Sequence, residues 1–187
     1  MRTAIPALLV VAAVLGAASC RDGGTGPGEV RAGEFRATVS GHASGEFTGT
    51  AHLYEGDSFL PGRQIVLTSR DGEVEITLWG GGLLSTGTDF DFEVGRHPVG
   101  VLANVQAALS INPQSTVGPL YIAREGTLRV TSSTAERVSG QFTFDGVVHL
   151  PDGSTRVAKV SGAFNAVPGP TWDGTRHAPH PSPVRSH

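Results

Sequence analysis

The sequence predicts an all-β domain, an antiparallel β-sandwich with an open or closed β-barrel as the alternative. Three observations carry this. Glycine supplies 26 of the 187 residues, roughly twice its average share, and breaks the chain into short pieces. Apolar and polar residues alternate with a period of two, as in Val74, Ile76 and Leu78 against Glu73, Glu75 and Thr77, which buries one face of a strand. Turn-forming pairs such as Asp71-Gly72 separate β-rich runs at hairpin spacing.

In chain order, strands are expected near Glu34 to Val39 and Gly45 to Tyr54. The clearest local signal follows. Gln64 to Ser69 and Glu73 to Trp79 flank Asp71-Gly72, a pair that accepts the positive φ angles of a type I′ hairpin turn. A strand is expected over Asp89 to Gly95, with Asp89, Asp91 and Glu93 on its wet face around Phe90 and Phe92. Residues 101–109 fit a short amphipathic helix as well as a strand, through Val101, Leu102, Val105, Ala108 and Leu109. Leu120 to Ala123 and Gly126 to Ser132 read as two strands, and Val138 to Leu150 as the next after a polar turn near Ser133 to Glu136. Pro151-Asp152-Gly153-Ser154 turns the chain into a closing strand, Thr155 to Val167. Nine or so strands joined by close turns bury one face each in a sandwich, or in a lipocalin-like barrel able to enclose a small molecule.

The ends of the chain differ from this domain. Residues 1–19 carry one charge, Arg2, then an apolar run and the small residues Gly16-Ala17-Ala18-Ser19 before Cys20. That is the pattern of a signal peptide, and its run of about 14 apolar residues is short of the ~20 that span a bilayer. Leu15-Gly16-Ala17-Ala18-Ser19-Cys20 resembles a bacterial lipobox, which implies acylation of the Cys20 thiol and anchorage in a membrane. Cys20 is the only cysteine, and consumption by lipid removes a free thiol from an oxidising compartment. Arg21 follows where retention in the inner membrane would call for aspartate, so the resemblance implies the outer membrane in a double-membraned bacterium. Residues 20–32, rich in glycine, read as a tether. Residues 168–187, with Pro168, Pro170, Pro179, Pro181 and Pro183, read as a disordered tail. The remainder, 33–167, is one domain's worth of chain.

Val-Ser-Gly occurs at residues 39–41, 138–140 and 160–162, with irregular spacing that points to similar strand starts rather than a repeat. Gly126-Thr127-Leu128-Arg129-Val130, Gly140-Gln141-Phe142-Thr143-Phe144 and Gly162-Ala163-Phe164 give the chain a pattern that resembles bacterial lipid-anchored all-β lipoprotein families of unknown function. The resemblance implies an envelope protein and brings no functional residues with it.

Chemistry-bearing residues are scattered. His177 and His180 are three apart in the tail and are the weak metal candidates; no zinc spacing is present, and no cofactor is expected. Asp89, Asp91 and Glu93 offer oxygen ligands to Ca²⁺ but read as a solvated strand face. No Gly-x-Ser-x-Gly elbow, Walker loop or EF-hand occurs, so no catalytic residue is assigned. Loss of Arg2 with the leader leaves 13 basic against 17 acidic groups, a net charge near −4, which disfavours nucleic acid. The expected function is a non-enzymatic binding or structural module of the cell envelope, meeting an envelope protein, a glycan or a small ligand, with Trp79 and Tyr54 as candidate contact residues. The alternatives are a small-ligand-binding barrel and an envelope hydrolase using His97 or His52 with a carboxylate such as Asp91.

Overall fold

The computed structural model describes residues 30–55, 62–80, 91–115 and 118–170. Cys20, His177, His180, Asp89 and Phe90 lie outside the described residues, as do the expected signal peptide and most of the tether and tail. The described chain is all-β: β1 (Glu34–Gly41), β2 (Gly45–Tyr54), β3 (Gln64–Ser69), β4 (Val74–Gly80), β5 (Gly95–Val99), β6 (Val105–Ile111), β7 (Leu120–Thr134), β8 (Arg137–His149) and β9 (Thr155–Pro168). Their ladders form a single sheet in the order β1-β2-β3-β4-β6-β5-β7-β8-β9, and β9 pairs back onto β1 from Glu34↔Asn165 to Gly41↔Ala158. Of the two expected arrangements, this pairing has the continuity of a barrel. Nearly all neighbours are antiparallel, with short parallel contacts at Val99↔Val105 and at His52↔Val167.

Alternation places every second side chain inside. Phe35, Leu53, Ile65, Ile76, Leu109, Leu128, Phe142 and Phe164 are among 26 buried apolar residues of the described chain that form one continuous cluster, an apolar core of inward side chains. Each large side chain taken from water contributes about 1.5–3 kcal/mol.

Several expectations change. Residues 101–109 contain no helix: 101–104 form a turn, and Val105, Ala107 and Leu109 point inward from β6 while it pairs β4 on one side and β7 on the other. Two-sided ladder hydrogen bonding overrides a segment whose helical and strand patterns were balanced. Leu102, on the turn, is 79% exposed. The strand expected over Asp89 to Gly95 begins only at Gly95; 91–94 is irregular, anchored by fully buried Phe92.

Leu120–Ala123 and Gly126–Ser132 belong to one strand, β7. A register shift between Ala123 and Glu125 changes its phase, so that Tyr121 and Ala123 face inward before it, Leu128 and Val130 after it. At the same point β7 exchanges partners: β6 lies against Leu120 to Ile122, and β5 against Gly126 to Val130.

The Asp71-Gly72 turn is not type I′, since only Gly72 has positive φ (73°) and type I′ needs two such residues. Gly72 N–H donates to the Ser69 carbonyl (2.9 Å), while the Asp71 carboxylate accepts from the Ser69 hydroxyl (2.5 Å) and Glu73 N–H (3.0 Å). The domain also extends slightly beyond 33–167. Val30 is buried, its carbonyl accepting from Asn165 Nδ2 (3.1 Å), and Gly169 N–H donates to the Leu53 carbonyl (2.9 Å).

Candidate functional site

Since the inward side chains form an apolar cluster, polar and charged groups stand on the outer wall, where the other half of each alternation projects. Two outward files differ in character. The first crosses β2, β3, β4 and β6 as Tyr54, Gln64, Trp79 and Gln106, each opposite the next. The two aromatic residues singled out from the sequence thus share one face, two strand spacings or about 9–10 Å apart. Tyr54 is also structural: its ring covers Gly169, where an added Cβ would come within 2.6 Å of Tyr54 Cζ. Burial, reinforced by the nearby Glu75 carboxylate, raises the Tyr54 phenol above its ordinary pKa.

The second file crosses the opposite part of the wall. Arg96 on β5 faces Arg129 on β7, Arg129 faces Gln141, Gln141 faces Ala163, Ala163 faces Arg36, and Arg36 faces Thr48. The Thr48 carbonyl accepts from Arg70 N–H (3.1 Å), which brings a fourth arginine to the end of the file. All four arginines are exposed, and among the described residues none makes a side-chain hydrogen bond or ion pair. Beside it runs a file of hydroxyls, Thr127, Thr143, Ser161 and Thr38, also in register. Over β5, β7 and β8 the two files border a groove of about 680 Å³ whose lining includes Arg96, Arg129, Thr127, Gln141, Thr143 and exposed Val94 and, among the described residues, no carboxylate. A smaller concavity holds Glu34, Arg36, Thr48 and Arg70.

Of the residues named for a hydrolase, Asp91 is engaged by an arginine. Arg63, with a side chain 13% exposed, donates to Asp91 (3.0 Å) and to the Ala135 carbonyl (3.1 Å), and lies 3.5 Å from Glu55. It braces one barrel end and occupies the carboxylate that a histidine would need. His97 Nε2 meets the Glu93 carbonyl (2.7 Å), and His52 Nδ1 is buried without a partner. Among the described residues no group of three or more His, Cys, Asp or Glu side chains could hold a metal ion.

The arginine file escaped sequence reading because its members come from β1, β5, β7 and the end of β3, and only the register aligns them. Comparisons with protein-family models, curated proteins and solved structures give no match.

Proposed function

We propose that this chain is an exported bacterial lipoprotein, held through a lipid on Cys20, whose β domain serves the cell envelope as a non-enzymatic binding module with its contact surface on the outer wall. The observation that carries the reading is the division of the barrel wall. Its inner face is spent on the apolar cluster, whereas its outer face carries four arginines without partners beside a file of hydroxyls. Exposed charges held at fixed spacing on a rigid scaffold are open to an external counter-charge. A sheet wall presents them at fixed spacing. The tether behind Cys20 would set the domain free of the bilayer surface while leaving it concentrated there.

Anchorage is tested by Cys20→Ala. The expected result is a shift of the protein from the membrane to the soluble envelope fraction with loss of labelled fatty acid. Unchanged membrane retention would defeat the anchor.

A further inference from the structure

We infer that the file Arg96, Arg129, Arg36 and Arg70 is a track for a linear anionic glycan, a sugar chain bearing sulfate, phosphate or carboxylate groups. This rests on the outer-wall reading above and gives it a ligand class.

The starting point is an electrostatic anomaly. Arg96 and Arg129 are direct cross-strand partners, and like charges in that position destabilise a sheet. Among the described residues no carboxylate lines the groove to relieve them. An oxyanion seated between the two guanidinium groups reverses the sign of that contact, and each planar fork donates two parallel hydrogen bonds to such a group. Thr127 and Thr143 stand around the same groove, supplying hydroxyls that both donate and accept, as sugar hydroxyls require, while the Thr131 hydroxyl beside them donates to the Ser139 carbonyl (3.1 Å).

Length argues for a chain rather than a single ion. Arg129 and Arg36 are three strand spacings apart, about 14 Å, and Arg36 and Arg70 two more, about 10 Å. The hydroxyl file follows the arginines over β7, β8, β9 and β1. Successive anionic groups of an extended polymer can reach successive arginines. Among the described residues, Glu34 and Glu46 flank Arg36 at the β1–β2 end, and Glu125 and Asp145, with Lys159, lie beside the hydroxyl file at Thr143 and Ser161. No carboxylate of the described residues lines the groove at Arg96 and Arg129, so that end binds most strongly. A single-stranded nucleic acid would look for outward aromatic rings to stack on, and a lipid surface for protruding apolar side chains. Between the arginines stand Thr, Ser, Gln and Ala, and at the Arg96 end exposed Val94 borders the groove, a single apolar side chain where a lipid surface calls for several.

The test uses the full lipidated chain in detergent, titrated with fluorescent dextran sulfate, with uncharged dextran of equal length, inorganic sulfate and anionic phosphatidylglycerol vesicles as comparisons. Dextran sulfate is expected to bind, with affinity falling steeply as salt screens the arginines, and uncharged dextran is not. The double substitution Arg96→Gln and Arg129→Gln should weaken binding by about tenfold or more, Arg36→Gln by less, and Arg124→Gln not at all, because Arg124 is paired with Glu125 (2.9 Å). Dextran sulfate should also raise the thermal midpoint of the parent and not that of the double variant, which retains its fold because both positions are exposed. Absence of dextran sulfate binding, or binding indifferent to the double substitution, overturns the inference. So does competition by inorganic sulfate at equal charge with Arg36→Gln silent, which would mark a small-oxyanion site. Equal or tighter arginine-dependent binding to the vesicles would mark a lipid surface and overturn it too. None of these outcomes alters the Cys20→Ala fractionation, so failure of the track is separable from failure of the anchor.

Discussion

Phe35, Phe142 and Phe164 each stand directly opposite a glycine, at Gly49, Gly162 and Gly140 respectively. The register explains the glycines. A Cβ on Gly162 would lie 2.7 Å from Phe142 Cζ and 2.5 Å from the Arg36 carbonyl oxygen, and a Cβ on Gly140 would lie 3.2 Å from Phe164 Cζ. Each ring lies over bare backbone, and Phe142 and Phe164 then meet at 6.2 Å between centroids. The phrases Gly140-Gln141-Phe142 and Gly162-Ala163-Phe164 are legible in the sequence as strands, but the partner of each glycine is set by register and not by neighbours in the chain. For the same reason the Val-Ser-Gly triplets are not equivalent strand starts: Gly41 ends β1, whereas Gly140 and Gly162 lie within strands as ring seats. Gly162→Ala should cost about 1–3 kcal/mol through overpacking, and Phe142→Ala about 3–5 kcal/mol through the cavity left. Combined, they should cost less than the sum, because each change removes part of the other's conflict. Urea denaturation of the three variants measures this, and strict additivity would sink the seating argument.

Among the elements, the β3–β4 and β8–β9 hairpins share one construction that the Asp-Gly signal only half revealed. Gly72 (φ 73°) and Gly153 (φ 81°) each follow an aspartate whose carboxylate ties the turn together. Asp71 accepts from the Ser69 hydroxyl and Glu73 N–H, and Asp152 from the Ser154 hydroxyl (2.6 Å) and N–H (2.9 Å). The hairpin positions follow from the sequence; the turn type does not, since a pair of letters leaves open whether one or both residues take positive φ. Either glycine would have open space for a methyl group, so Gly72→Ala isolates the backbone penalty of a left-handed alanine, about 1–2 kcal/mol. The carboxylates add a pH dependence. Hydrogen bonds from Ser69, then Glu73, hold Asp71 below the usual carboxylate range, and those from Ser154 do the same for Asp152. The folded state thus favours the ionised form. Its contribution is present above the ordinary carboxylate pKa of about 4 and is lost as pH falls through the lower folded values. Asp71→Asn with Asp152→Asn should lower stability at neutral pH and flatten the acid limb of a stability-versus-pH curve. A variant curve parallel to the parent's would remove these carboxylates from the account. The long strand β7 gives the complementary lesson: its phase change at the Ala123/Glu125 shift makes one strand read as two.

For the molecule as a whole, the sequence carries the all-β class and most strand positions, while closure depends on pairings between chain ends that no local pattern encodes. β1 meets β9 over eight residue pairs, and that seam turns a sheet with two edges into one with none. Contacts so distant along the chain close large loops, so the seam should govern how much of the molecule unfolds together. Thr38 and Ser161 are direct partners on it, both facing outward, with Cβ atoms about 5 Å apart, so that a disulfide needs a small approach of the two strands. Thr38→Cys with Ser161→Cys should therefore cross-link on oxidation. The bond would close a loop of roughly 120 residues, for which chain entropy predicts up to about 4–5 kcal/mol. Oxidised and reduced forms compared by denaturant midpoint give the result: a higher midpoint on oxidation, reversed by a thiol, is expected of a closed ring. Failure of the bond to form, or formation with a lower midpoint, would mean that β1 and β9 do not hold this register, and with it would go the alignment of Arg36 with Arg129 across the outer wall.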